Sequence, residues 1–223
     1  MKKGSVALAP STMIRSALLT LAVLFGTTAC KPTSEGAMSP ELRQSLQESQ
    51  RKAREAEARR PRVTSLSDDS WRAIPDDQLD EAVMAYIEGR IHGQNGEPTP
   101  LASLPHGFQI FHHSFIVEAE VANGGFNQFF WNSSGESAPQ VPGALRALGA
   151  GEAAAMFEQV LQVADQDRPR LAAFKAQGSL QAFSASYKDS PLNAYDTPFM
   201  ELAMKFSALR AEYLQRHADQ FRE

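Results

Sequence analysis

Residues 118–136 read Glu-Ala-Glu-Val-Ala-Asn-Gly-Gly-Phe-Asn-Gln-Phe-Phe-Trp-Asn-Ser-Ser-Gly-Glu, and no other stretch is so dense in glycine, carboxamide and aromatic side chains. An apolar helix runs into it, breaks at Gly124-Gly125, and restarts as a short aromatic turn. Glycine supplies the backbone freedom such a break requires. Phe126, Phe129 and Phe130 stand at i, i+3 and i+4, on one helical face. If that face is buried, Asn123, Asn127, Gln128 and Asn132 either satisfy backbone groups at the break or face a ligand. Together with Glu136 they form the candidate binding surface. Glu118, Glu120 and Glu136 read either as an acidic rim or as ordinary solubilising charge.

Upstream, Phe108, Phe111, Phe115, Ala119 and Ala122 form one stripe, widened by Ile110, Val117 and Val121. This predicts a central, largely buried helix over Phe108–Ala122. His112 and His113 are adjacent and so lie on different faces, expected to be satisfied by hydrogen bonds at the helix edge. His113 and Glu120 share a face but lie two turns apart, roughly 10 Å along the axis. A metal-assisted hydrolase built on that pair is therefore the weakest reading, since paired ligands stand at i, i+4 in helical zinc sites. Ser133 and Ser134 lack the Gly-x-Ser-x-Gly elbow of a hydrolase nucleophile. No catalytic residue, metal ligand or cofactor is assigned.

The remaining pattern is helical. Pro75-Asp76-Asp77 opens a helix through Leu79, Val83, Tyr86 and Ile87. Trp71 and Tyr86 are expected to pack in or beside the core. Pro142–Leu148 predicts a short helix ending at Gly149. Glu152 opens another through Phe157 and Val160, with Asp165–Pro169 read as a loop. Ser179 caps a short helix, and Thr197-Pro198 starts a long amphipathic C-terminal helix through Phe199, Phe206 and Leu214, with a seam that allows a homodimer. No alternating strand pattern and no internal repeat competes. The expected fold is all-α, a single domain of about six or seven helices over residues 67–223.

Charge narrows the functional classes. Residues 67–223 carry 11 Lys/Arg and 21 Asp/Glu, a net −10, whereas the whole chain is −4. Such a surface disfavours direct nucleic-acid binding, which needs basic phosphate contacts. It favours solubility or a basic partner. The single cysteine, Cys30, excludes an internal disulfide.

The N-terminus reads as a targeting segment. Lys2, Lys3 and Arg15 precede the apolar run Ala17–Phe25, too short to span a bilayer. Gly26-Thr27-Thr28-Ala29-Cys30 resembles a bacterial lipobox, with Thr27 in place of the usual leucine. The resemblance implies removal of residues 1–29, acylation of Cys30 and anchoring to a membrane. By resemblance to enterobacterial sorting, Lys31 beside the cysteine implies the outer membrane over the inner. Residues 30–66 form a polar tether with few apolar anchors. Its 36 residues after Cys30 reach at most roughly 120 Å. Within it, Ser39-Pro40-Glu41 opens a solvated helix.

The pattern Glu118-x-Glu-Val-x-Asn-Gly-Gly-Phe-Asn-Gln-Phe-Phe-x-Asn-Ser-Ser-Gly-Glu136 resembles the signature of a bacterial domain family of unknown function named for a DNA-mimic protein. Ala144-Leu145-x-x-Leu-Gly-Ala150 and Asp196-Thr-Pro-Phe199 are similar to that family's later elements. The resemblance covers about Asp76 to the C-terminus. It implies an all-helical fold without established enzymatic activity. Its namesake imitates DNA with surface carboxylates. The expected function is a non-enzymatic, membrane-anchored binding module facing the periplasm, with an envelope protein as partner. A DNA mimic that sequesters a DNA-binding protein is the alternative.

Overall fold

The structure is a computed structural model that describes residues 40–59, 63, 65, 66, 69–94 and 97–222. Cys30, the expected leader over residues 1–29 and residues 31–39, 60–62 and 64 of the expected tether lie outside the described residues. The chain divides into two units, Met1–Arg59 and Arg60–Glu223.

The first unit holds one described helix, α1 (Pro40–Arg59). Its described side chains are exposed, and it is laced by Lys52–Glu48 and Arg51–Glu55 pairs at 2.8 and 2.6 Å. A helix without an apolar stripe gains no tertiary burial, and such i,i+4 pairs add only about 0.3–0.5 kcal/mol each.

The second unit is all-α, with no strand among its described residues. Its helices are α2 (Asp76–Ile91), α3 (His106–Trp131), α4 (Val141–Ala147), α5 (Gly151–Lys175), α6 (Leu180–Ser186), α7 (Asn193–Ala203) and α8 (Phe206–Arg216). A 3-10 stretch, Ser133–Gln140, joins α3 to α4. Val63 and Leu66 are buried in the core, so packing begins slightly upstream of the expected domain start at residue 67.

The central helix α3 serves two hydrophobic clusters. Its first half places Phe108, Ile110 and Phe111 against Trp71, Val83 and Ile87, with Leu214 and Phe221 closing that cluster. Its second half places Val121, Phe126 and Phe129 against Phe157, Phe199 and Phe206. Phe126 meets Phe199 and Phe157 with ring centroids 5.0 and 5.7 Å apart, edge to face, and Phe129 meets Phe157 at 5.8 Å. Such geometries add to the area term because ring edges are positive and faces negative.

Three local expectations are revised. Asp165–Pro169 is not a loop, since α5 runs unbroken through Pro169. Proline costs the helix one hydrogen bond there. Arg170 compensates by gripping Asp167 through Nε and Nη2 at 2.6 and 2.7 Å and donating from Nη1 to Ser186 O at 2.8 Å. The C-terminal helical segment is divided by a turn at Met204–Lys205, and its first part starts at Asn193, ahead of Thr197-Pro198. His113 is not satisfied at a helix edge: it is buried and its Nδ1 has no hydrogen-bond partner. Ser179 does cap α6, accepting from Ala182 N at 3.1 Å.

Candidate functional site

The break in α3 is where the chemistry-bearing residues of the motif meet. Gly124 has φ −162° and ψ 32°, and Gly125 has φ 66° and ψ −176°. The second of these is left-handed, a region closed to most side chains. A Cβ on Gly125 would also strike the Asp196 carboxylate, and one on Gly124 would strike Gln128 Oε1 and Tyr187 Oη. Gly125→Ala is expected to lower the free energy of unfolding by about 1–3 kcal/mol, from backbone strain and displacement of Asp196. Urea unfolding of the pure variant measures it.

The break leaves the Phe126 N–H without its helical acceptor. Asp196, in the first turn of α7 and 70 residues away, accepts it at 2.8 Å. The second half of α3 is thus capped by a carboxylate from another helix, the arrangement that the positive end of a helix favours. Burial raises the Asp196 pKa, and the Phe126 N–H opposes that without reversing it.

Glu120 is the centre of the site. It is buried, yet accepts from Gln128 Nε2 at 2.7 Å, from Asn132 Nδ2 at 2.9 and 3.1 Å, and from Ser134 Oγ at 2.9 Å. Three neutral donors surround one carboxylate, satisfying it without a cation. This latch ties the first half of α3 to the second half and to the 3-10 stretch beyond. Glu120→Gln is expected to lose about 1–3 kcal/mol, because its amide turns a donor toward donors. Thermal and urea unfolding give the number; a loss below a few tenths would show that the latch holds nothing.

The candidate binding residues therefore divide. Asn127 is fully buried and donates from Nδ2 to Ser186 Oγ at 2.7 Å, while Gln128 is nearly so and bound to Glu120. Neither presents a surface to a partner. Asn132 is half-buried in the latch, and Asn123 and Glu136 remain exposed. Tyr187 lies beside the break, its hydroxyl pKa raised first by burial and then by the Asp196 charge. Lys175 has its pKa lowered by burial, with Glu136 opposing.

A second polar centre joins α2, α3 and α8. Arg210 is 1% exposed and donates to Asp80 Oδ1 and Oδ2 at 3.0 and 2.5 Å and to Glu118 Oε2 at 2.7 Å. Its guanidinium carbon lies 5.7 and 5.4 Å from the ring centroids of Phe111 and Phe115. Sequence spacing gave no sign of this triad. Glu118 belongs to it and not to an acidic rim with Glu120 and Glu136.

No group of three or more His, Cys, Asp or Glu is placed to hold a metal ion among the described residues. His113 and Glu120 are both buried, and both Glu120 oxygens are taken by the latch. No described helix is long and apolar enough to cross a membrane.

A broken central helix, a carboxylate held by neighbouring amides and a cap lent by a distant helix define an all-helical domain in which residues 120–134 serve the fold itself. The family model described as DMP19-like protein matches residues 102–217, more than half of the chain, and the chain belongs to that family. No curated protein and no solved structure matches it.

Proposed function

We propose that this chain is a non-enzymatic protein-binding module held in the bacterial cell envelope by a lipid on Cys30, facing the periplasm from the outer membrane. Membership of the DMP19-like family is compatible with a protein-binding role. The observation that carries the reading is an aromatic strip beside the motif. Trp131 closes α3 and packs on Phe183 with centroids 5.0 Å apart, and Phe183 packs on Tyr187 at 5.2 Å. All three are only half-buried, and Leu180, one turn before Phe183 on α6, is 80% exposed. Trp and Tyr are the residue types that anchor protein interfaces, and the exposed Leu180 beside them extends the apolar surface. Asn123 and Glu136 supply polar groups at the motif.

A photo-crosslinking residue at Leu180 is expected to capture one discrete envelope protein in cells, and one at the exposed Ala155 of α5 is not. Equal capture from both positions, or none from Leu180, would sink the reading. Labelling with radioactive palmitate is expected in wild type and absent in Cys30→Ser.

The second reading is a DNA mimic that occupies a DNA-binding protein. Family membership and the net −10 over residues 67–223 favour it. Against it, Asp80, Glu120 and Asp167 are buried and Glu118 is paired with Arg210, which removes them from any surface row of phosphate-like charges. A complex with a basic cytoplasmic protein that dissolves steeply with salt would select this reading.

A further inference from the structure

Asn123 is the motif carboxamide that the fold does not use. Asn127, Gln128 and Asn132 each donate to an acceptor in the core or the latch. Asn123 is exposed, and its side chain has no hydrogen-bond partner among the described residues. It stands directly before Gly124, where the first half of α3 ends. We propose that Asn123-Gly124 is a self-modification site, at which the asparagine cyclises, hydrolyses to isoaspartate and so opens the Glu120 latch. This chemistry is independent of where the chain resides in the cell.

At a helix end, asparagine ordinarily serves as a left-handed cap. Here that conformation falls to Gly125, at φ 66°. What remains for Asn123 is its own reactivity, since asparagine is among the chemically labile residues. The Gly124 backbone nitrogen attacks the Asn123 Cγ and gives up its proton to solvent. A nitrogen–carbon bond forms, the side-chain carbon–nitrogen bond breaks, and the carboxamide nitrogen leaves as ammonia. Water then opens the resulting succinimide ring. Attack at Cγ gives aspartate. Attack at the main-chain carbonyl gives isoaspartate, in which the chain runs through the side chain and is longer by one methylene. A following glycine leaves its nitrogen open to this step because it has no Cβ. A continuous helix suppresses the step by fixing the backbone on both sides of the asparagine. Here it is fixed on one side only, because Gly124 and Gly125 both leave helical dihedrals.

The product acts through its neighbours. Space around Gly124 is already filled, since a Cβ there would strike Gln128 Oε1 and Tyr187 Oη. A main chain lengthened at this point displaces Gln128, whose Nε2 holds Glu120 Oε2 at 2.7 Å. The new carboxylate also stands three residues from Glu120, on the same face of the first half of α3 and at its negative end. Like charges at that spacing repel. Both effects act against the latch. Ammonia is lost to solvent, so the change does not reverse, and the fraction of opened chains records the age of the protein.

The test incubates the purified full chain at mildly alkaline pH, folded in buffer and unfolded in urea, and follows residue 123 by peptide mass spectrometry. Peptide mapping separates this site from Asn95-Gly96, the second Asn-Gly pair of the chain. Electron-transfer fragments separate isoaspartate from aspartate. A gain of one dalton at Asn123 in the folded chain, mostly as isoaspartate, is expected. Urea unfolding of the incubated chain is then expected to show a second, earlier transition whose amplitude follows the converted fraction. Asn123→Gln is a change at an exposed side chain, and glutamine cyclises far more slowly. This variant is expected to keep a single transition after the same incubation. Asn123→Asp carries the charge without the added methylene and is expected to unfold between the two. Conversion of Asn123 only in urea would overturn the site. Converted chains that unfold like fresh protein would overturn its effect on the latch.

Discussion

Arg210→Ala is expected to cost about 3–5 kcal/mol of folding stability, the largest single-residue effect in this chain. The argument rests on what the substitution leaves behind. Asp80 has a side chain only 4% exposed and loses both of its hydrogen bonds to Arg210. A buried carboxylate without a partner costs far more than the pair contributed when intact. Burial alone would lower the Arg210 pKa, but Glu118 and Asp80 together hold it above its ordinary value, so it carries its charge throughout. Glu118 responds less. Its pKa is raised by burial despite Arg210, and its side chain is 26% exposed, so it can turn to water. Replacing Arg210 by Met and Asp80 by Leu together is therefore expected to restore most of the loss. Urea unfolding of Arg210→Met, of Asp80→Leu and of the double variant closes the cycle. Additive losses, or an Arg210→Ala cost below about 1 kcal/mol, would show that the triad is not the clamp among α2, α3 and α8 described above.

The fold class was legible because its signals are local. The apolar stripe from Phe108 to Ala122, the Gly124-Gly125 break and the Phe126/Phe129 face are all visible within one helical repeat. Chain separation hid the site. In an unbroken helix Glu120 and Gln128, eight residues apart, would stand roughly 12 Å apart along the axis. The break brings their polar atoms to 2.7 Å. The sequence marks the break but not the direction in which the chain resumes, and so it leaves Gln128 either satisfying backbone groups or facing a ligand. Asp196 and Arg210 were invisible for a related reason. Their partners lie 70 and 130 residues away, and nothing in their neighbourhoods marks them as caps or clamps. Pro169 misled in the other direction. Proline reads as a stop, but the Arg170 contacts to Asp167 and Ser186 hold the helix through it.

Between pH 6.5 and 5 the chain is expected to lose about 2 kcal/mol of stability through His113 alone, rising to about 3 kcal/mol by pH 4. His113 lies on α3 beside His112 and is buried. Its pKa is lowered to about 4, first by burial and then by the neighbouring His112, whose ring centroid is 5.7 Å away. The unfolded chain takes up this proton near the ordinary value of 6.5, well before the folded chain does. The stability is therefore fully present above about pH 6.5 and is lost as pH falls toward the folded value. Glu88 Oε1 stands 3.3 Å from His112 Nε2, and that contact chiefly holds the Glu88 pKa down. Glu88 adds its own loss of stability at more acid pH, and comparison with a variant that lacks the His113 ring isolates the His113 part. His113→Leu removes the titrating group and leaves no acceptor stranded, because Nδ1 has no partner in the folded chain. The gap in unfolding free energy between this variant and wild type is expected to shift by about 2 kcal/mol in favour of the variant from pH 7 to pH 5. Urea titrations at the two pH values measure that shift, and the His113 Hε1 signal is expected to titrate with a midpoint near 4. A constant gap, or a midpoint near 6.5, would mean that water reaches His113 in the folded chain.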